Sequence, residues 1–297
     1  MSTSTSAGQL PDPSDLVDVD ALIAAYHDER PDPQVAEQRV AFGTSGHRGT
    51  PIARTFTESH VLAIAEAVCR YRASEGIDGP LFLGRDTHAL SGPAAESLVD
   101  VLAAHGVDVV VDDRDGYTPT PVISHAILTH NRGGGRGTAD GIVVTPSHNP
   151  PEDGGVKYNP PHGGPADTDV TGWIQREANA LLEEGLRGVR RTTAGRAPTV
   201  HRRDYVSAYV DDLPSVIDLD AIRESGVRLG VDPLGGASGA YWAAIAERHR
   251  LDLTITNDRI DPTFRFVPLD WDGKIRMDCS SPYAMAKLRE LADRFDV

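Results

Sequence analysis

The densest group of residues able to do chemistry lies between Thr145 and Pro165, directly after a β-branched run. Pro146 and Pro150 restrict the backbone on either side of Ser147, so the loop is predicted to hold the serine hydroxyl on a stiff, extended segment. A hydroxyl held in place suits a nucleophile. Lys157 could fold back toward the serine and supply a positive charge or a proton. The pattern therefore indicates nucleophilic chemistry at Ser147, and a Pro-rich structural turn is the open alternative.

Acyl transfer is a weaker interpretation of Ser147. The residues around it do not form the G-x-S-x-G motif of a nucleophile elbow. His148 is a poor base for its neighbour, because adjacent side chains of an extended backbone point to opposite sides. We therefore do not expect a serine hydrolase.

A second cluster, AFGTSGHRGT at residues 41–50, combines three glycines with polar and cationic side chains. Thr44, Ser45, His47 and Arg48 could line a concave loop whose backbone N–H groups and guanidinium face a phosphate. A Gly-rich turn with a surface arginine is the alternative. In GRDTHALSG at 84–92, Arg85, Asp86 and His88 follow a strand end. We expect these three to support the site from behind or to form a salt-bridged loop.

The elements that must position these residues alternate between strand and helix. Short apolar runs predict buried strands, and apolar residues at helical spacing predict helices between them. The predicted strands are 81–84, 107–111 and 141–145, and the predicted helices are 21–29, 58–71, 91–106, 123–128 and 168–182. This order predicts an α/β fold with mostly parallel sheets flanked by helices. Ligands bind beyond the carboxyl ends of such strands, where the Ser147 loop begins.

A second α/β unit is predicted after an Arg-rich, apolar-poor segment at 186–203. Its predicted strands are 227–231 and 251–256, its predicted helices are 239–249 and 282–292, and Phe295–Val297 looks like the opening of a buried strand. We therefore predict a partly disordered lead at 1–37, a first domain at 38–190, a linker at 191–203 and a second domain at 204–297, truncated at its C-terminal strand.

Composition narrows the class of protein. The chain has 297 residues, enough for about two domains of roughly 150 residues. Its 29 basic and 44 acidic residues give a net charge of −15, which disfavours a nucleic acid or an anionic membrane as the main partner. Cys69 and Cys279 lie far apart in the sequence and cannot form a disulfide framework. We therefore expect a reducing compartment, the cytoplasm.

Five segments together resemble the bacterial phosphoglucomutases of the alpha-D-phosphohexomutase superfamily, from about residue 38 to the end of the chain. They are GTSGHRG (43–49), GRDTHALS (84–91), TPTP (118–121), TPSHNPPEDGGVKYNPPHGGPADT (145–168) and FRFVPLDWDGKIRMDCSSPYAMAKL (264–288). The resemblance implies a domain I and part of a domain II of the superfamily's α/β type. It also implies a small phosphosugar as the substrate.

The implied mechanism centres on Ser147, which carries a phosphoryl group and gives it to glucose 1-phosphate or glucose 6-phosphate. Glucose 1,6-bisphosphate then reorients and returns its other phosphoryl group to the serine. By resemblance, Lys157 is the general acid/base and Arg48 steadies the phosphoryl group, while His148 shapes the loop. The resemblance also implies Mg²⁺, with an oxygen of phosphorylated Ser147 as one ligand, since a phosphoserine carries a charge of about −1.5 to −2.

One departure from the family concerns the C-terminal half. Members have four domains around a cleft, and their remaining metal ligands follow the strand that Phe295–Val297 begins here. The resemblance therefore implies a partial protein without the metal loop or domains III and IV, inactive on its own. The alternatives are a non-catalytic phosphosugar-binding or regulatory remnant and, more remotely, a Rossmann-type oxidoreductase.

Overall fold

The computed structural model describes residues 3–43, 46–193 and 197–297, which fall into two compact units. The large unit comprises residues 19–147 and 152–203. The small unit comprises the residues up to 18 together with 148–151 and 204–297. No helix in the described ranges is both long enough and apolar enough to cross a membrane.

The large unit is built on a six-stranded sheet with the order β1-β5-β4-β2-β3-β6. Its strands are β1 (Gly46–Gly49), β2 (Leu81–Arg85), β3 (Val109–Asp112), β4 (Asp140–Val144), β5 (Gly154–Asn159) and β6 (Val200–Arg203). The pairs β2–β3, β2–β4 and β3–β6 are parallel, whereas β5 is antiparallel to both β1 and β4. The prediction of a mostly parallel sheet flanked by helices is confirmed.

Helices cover the sheet of the large unit. They are α1 (Val19–Asp28), α2 (Glu58–Glu75), α3 (Ser91–Ala104), α4 (Thr120–Arg132) and α5 (Thr168–Glu183). Tyr71 of α2 meets the ring of Tyr158 on β5 edge to face, at 5.9 Å between centroids. Ile123 of α4 lies where a side chain on Gly84 or Gly141 would clash, so glycines at these two positions let α4 approach the strands closely.

A buried ion pair joins α2 to the beginning of β4. The Arg72 guanidinium contacts the Asp140 carboxylate and also donates to the carbonyl of Gly79 at 2.6 Å. The Tyr158 hydroxyl donates to the other Asp140 oxygen at 2.7 Å. These partners satisfy charges that would otherwise be costly to bury.

The small unit contains a parallel pair of short strands and several helices. Its elements are α6 (Tyr205–Asp212), α7 (Leu219–Ser225), β7 (Leu229–Val231), α8 (Gly239–His249), β8 (Leu253–Ile255) and α9 (Ala286–Arg289). An apolar cluster forms its core from Phe264, Phe266, Val267, Leu269, Ile275 and Ala284. The N-terminal segment, for which the sequence predicts partial disorder, forms backbone hydrogen bonds from Ser4 to Trp271 and from Gly8 to Leu269.

Several elements differ from the predicted ones. The helix predicted at 282–292 is reduced to α9 and a short 3₁₀ turn at Ala292–Arg294. The predicted linker ends in β6, which joins the sheet beside β3. Strands β1 and β5 come from segments that the sequence presents as loops. At the C-terminus, Val297 runs beside β7, accepting a bond from Gly230 N, but it is 78% exposed rather than buried.

Candidate active site

The pairing of β1 with β5 brings the two predicted cations together. In this antiparallel pair Gly46 lies opposite Lys157, and Arg48 lies opposite Gly155. Opposed residues share a face of the sheet, so the Arg48 and Lys157 side chains occupy one face, diagonally across the two strands. A β-carbon on Gly46 would lie 2.7 Å from Lys157 Cγ, so only glycine lets the lysine stem cross β1 here.

Burial and charge both act on the Lys157 amine. Burial lowers its pKa, and the neighbouring positive charge of Arg48 lowers it further, while the Asp86 carboxylate acts in the opposite direction. The net result is a pKa below the usual lysine range. A lysine with a lowered pKa is a better acid and, once deprotonated, an available base.

Ser147 is exposed, and its backbone is left-handed, not extended as the sequence predicts. Its φ is +72°, in the left-handed region, which costs an L-residue other than glycine about 1–2 kcal/mol. The Ser147 N–H donates to Thr145 Oγ1 at 2.9 Å. The Thr145 N–H donates in turn to the Gly155 carbonyl at 2.9 Å, which ties the start of the loop to β5. The serine is thus presented to solvent by a loop anchored to the sheet.

The Asp86 carboxylate lies behind this loop in a network of hydrogen bonds. It accepts from Thr145 Oγ1 at 2.5 Å, from Ser91 Oγ at 2.6 Å and from the His88 backbone at 3.0 Å, and His88 Nδ1 lies 2.9 Å away. Burial alone would raise the Asp86 pKa, but the charge of His88 and these hydrogen bonds outweigh it and hold the pKa below its usual range. The contact between Asp86 and His88 fits the predicted salt-bridged loop, and their support of the site stays a prediction.

His47 does not fit the prediction that it faces a phosphate. Its side chain is 2% exposed and stacks between Phe56, at 5.9 Å, and His60, at 5.1 Å between ring centroids. The strand alternation explains the correction, because neighbours on β1 point to opposite faces and Arg48 takes the exposed one. His47 is a core residue whose side chain packs on the buried face of β1.

The other predicted site residues are placed as follows. Thr44 and Ser45 lie outside the described residues. His148 belongs to the small unit, where its Nε2 lies 3.9 Å from Asp278 Oδ2 and its side chain is 49% exposed. Its predicted effect on the loop stays a prediction. Arg85, the last residue of β2, pairs with Asp115 at 3.1 Å.

The described residues do not by themselves fit a magnesium site. Mg²⁺ requires several oxygen ligands in octahedral geometry. Within the described ranges no three His, Cys, Asp or Glu side chains converge in a way that could hold a metal ion. Ser147, once phosphorylated, would offer one oxygen ligand.

A cavity of about 660 Å³ in the large unit lies apart from these residues. It is bordered by α3 and by the ends of β2 and β3, and Ser147, Lys157 and Arg48 are not among its lining residues. Arg191, which lines it, is paired with Glu58 and with Asp100, each at 2.9 Å. The cavity does not contain the predicted nucleophile, so the exposed Ser147, with Arg48 and Lys157 in the same unit, is the better candidate site.

Thr145 is the residue of the site whose role the sequence did not indicate. In the sequence Thr145 is only the first residue of the loop. In the structure its hydroxyl links Ser147 to Asp86. The available signal was its position two residues before the serine, where a hydroxyl can accept a local backbone hydrogen bond.

Comparisons with known proteins agree with the fold. Residues 39–184 match the family described as phosphoglucomutase/phosphomannomutase, alpha/beta/alpha domain I. A phosphoglucomutase of Komagataeibacter xylinus is 57% identical over 100% of this chain and 54% of its own length. Phosphoglucomutase 1 of Saccharomyces cerevisiae is 31% identical over 74% of this chain and 40% of its own length.

A solved structure gives the same assignment. The phosphoglucomutase/phosphomannomutase family protein of Burkholderia thailandensis superposes with a TM-score of 0.57 at 27% identity, over 74% of this chain and 44% of its own. This chain thus spans about half the length of the relatives it matches. Through its large unit, the chain belongs to the phosphoglucomutase/phosphomannomutase family.

Proposed function

We propose that this chain supplies the phosphoserine of a phosphoglucomutase, which interconverts glucose 1-phosphate and glucose 6-phosphate through glucose 1,6-bisphosphate. In this proposal residues 38–190 are domain I, residues 191–203 lead out of it, and residues 204–297 are part of domain II. The reaction takes place in the cytoplasm. The observation that carries the proposal is an exposed Ser147 on a sheet-anchored loop, in the same unit as a diagonal Arg48–Lys157 pair.

Each half of the reaction moves one phosphoryl group between oxygens. The hydroxyl oxygen of the bound sugar phosphate forms a bond to the phosphorus on Ser147, and the P–Oγ bond breaks with its electron pair staying on Ser147 Oγ. The hydroxyl proton passes to the Lys157 amine. In the second half the other phosphoryl group of the bisphosphate returns to Ser147 Oγ, and the Lys157 ammonium returns a proton to the freed sugar oxygen. The lowered pKa of Lys157 suits both directions.

Arg48 supports the transfer electrostatically. Its guanidinium lies on the same face as Lys157 and would bind the oxygens of the transferring group, where negative charge must be stabilised. Mg²⁺, when bound to the phosphoserine, would neutralise part of that charge.

The test uses this chain extended with the C-terminal remainder of the Komagataeibacter xylinus phosphoglucomutase. After incubation with glucose 1,6-bisphosphate and Mg²⁺, mass spectrometry should find one phosphoryl group on Ser147, and glucose 1-phosphate should be converted to glucose 6-phosphate. Ser147→Ala should abolish both. Ser74→Ala, which removes an exposed hydroxyl from α2, is the matched control and should keep both. Full turnover of Ser147→Ala would refute the assignment.

A non-catalytic phosphosugar-binding role is the second candidate. It needs only the Arg48–Lys157 pair, whose two positive charges suit a phosphate. Calorimetry of the 297-residue chain with glucose 6-phosphate separates the two. The second role is favoured if glucose 6-phosphate binds saturably and the extended chain also binds it but never becomes phosphorylated on Ser147.

A further inference from the structure

We propose that Asp86 and Thr145 are positioning residues for Ser147: the Asp86 carboxylate orients the Thr145 hydroxyl, and that hydroxyl holds the backbone of the serine in its left-handed conformation. The proposal rests on the proposed function of Ser147 as the phosphoryl carrier. It adds two residues that act through Ser147.

The direction of the hydrogen bonds makes the carboxylate necessary. An ionised carboxylate can only accept, so the single hydroxyl proton of Thr145 must point to Asp86 Oδ2, 2.5 Å away. The lone pairs of Thr145 Oγ1 then face the Ser147 N–H, which donates to that oxygen at 2.9 Å. The Asp86 charge thereby fixes Thr145 Oγ1 as an acceptor toward the serine.

The backbone between Thr145 and Ser147 offers few donors with which to hold this turn. Pro146 has no N–H, so the segment from Thr145 to Ser147 has two donors. The Thr145 N–H bonds to the Gly155 carbonyl, and the Ser147 N–H bonds to Thr145 Oγ1. Because Ser147 has a φ of +72°, a conformation that serine does not favour, removal of this one hydrogen bond should release it.

The carboxylate is itself rigidly held. Asp86 follows β2, and its N–H donates to the Val144 carbonyl of β4 at 3.0 Å. Ser91 Oγ, at the beginning of α3, bonds to one carboxylate oxygen, and the buried His88 side chain bonds to the other. The position of Ser147 is therefore set by the junction of β2 with α3 and not only by its own loop.

The first experiment measures hydrogen exchange of the Ser147 amide in the 297-residue chain by NMR. Thr145→Val removes the acceptor at nearly constant volume and should speed this exchange by about tenfold or more. Thr145→Ser keeps the hydroxyl and should restore protection to within about threefold of the native chain, since the same bond can form. Asp86→Asn, which no longer dictates the direction of the hydroxyl, should fall between the two.

Thr199→Val is the matched control. It removes a buried hydroxyl for which the described residues provide no hydrogen-bond partner, and it should leave the Ser147 amide unchanged. Unchanged exchange of the Ile142 and Val143 amides on β4 shows that each variant is folded. Unaltered Ser147 exchange in a folded Thr145→Val chain would overturn the proposal, whatever the outcome for phosphoryl transfer.

The second experiment uses the extended chain and separates positioning from binding. Thr145→Val should slow phosphorylation of Ser147 by glucose 1,6-bisphosphate by about 10- to 100-fold, because a small displacement of a nucleophile has a large effect on rate. The affinity for glucose 6-phosphate should change by less than about threefold, and Thr145→Ser should recover most of the rate. Equal losses for the Val and Ser variants would contradict a role of the hydroxyl.

Discussion

We expect acid to destabilise the large unit through its buried histidine pair, His47 and His60. Burial lowers the pKa of His47 to about 3, with the nearby His60 contributing, and burial lowers the pKa of His60 to about 4. In an unfolded chain both imidazoles have a pKa of about 6.5. Below pH 6.5 the unfolded state therefore binds protons that the folded state does not, and the stability of the fold decreases as the pH falls.

The two pKa values give the size of this effect. Between pH 7 and pH 5, each histidine should remove about 2 kcal/mol from the free energy of unfolding, so the pair removes about 4 kcal/mol. This is a large share of the roughly 5–15 kcal/mol that stabilises a typical domain. The window ends near pH 4, below which His60 is protonated in the folded state as well.

The assay is urea unfolding at several pH values, followed through the fluorescence of Trp173 with the other two tryptophans replaced by Phe. His47→Phe removes one titrating group and should halve the loss between pH 7 and pH 5, to about 2 kcal/mol. Phe56→Leu is the control, because it weakens the same stack without removing a titrating group and should leave the pH dependence unchanged. An identical pH dependence for the native chain and His47→Phe would refute the reasoning.

Three further predictions concern the loop and its neighbours. Gly155→Ala would place a β-carbon 2.4 Å from the Thr145 carbonyl oxygen and should destabilise the large unit by about 1–3 kcal/mol in urea unfolding. The control is Gly172→Ala on α5, whose β-carbon would meet only the end of an arginine side chain and which should stabilise the unit by about 0.5–1 kcal/mol. Equal effects of the two substitutions would contradict the packing argument. Ser147→Gly should be about 1 kcal/mol more stable than Ser147→Ala, because glycine adopts a φ of +72° without strain, and the reverse order would exclude a strained serine. Arg48→Ala should raise the pKa of Lys157, because it removes a neighbouring positive charge. A ¹³C-lysine NMR titration can follow this pKa, since the chain has three lysines. A lower pKa of Lys157 in the variant would show that the two cations do not interact as described.

The sequence predicted the parallel part of the sheet well. Strands β2 and β4 are buried β-branched or apolar runs with little exposed surface, and such runs have a clear signature. Strand β1 is GHRG and β5 begins with two glycines, so neither has the apolar alternation that marks a strand. Strand β6 is a mostly exposed edge strand, and because its sequence is polar, the sequence predicts a linker there.

The site was predictable in its residues but not in its connections. Ser147, Lys157 and Arg48 could be singled out because of their types and their flanking prolines and glycines. The link from Asp86 to Thr145 arises because β2 and β4 are aligned in parallel, which brings the residues after the two strands side by side. The burial of His47 follows from the strand character of residues 46–49, which the sequence did not indicate.

The ion pair at the start of β4 has a consequence for Lys157, which is the neighbour of Tyr158 on β5. Tyr158 on β5 can reach Asp140 only when the two strands are aligned as observed, and Arg72 fixes Asp140 in turn. A slip of β5 by a single residue would turn Lys157 to the opposite side of the sheet, among the apolar side chains of the core. The Arg72–Asp140–Tyr158 contacts thus favour the one alignment that keeps the lysine on the same face as Arg48.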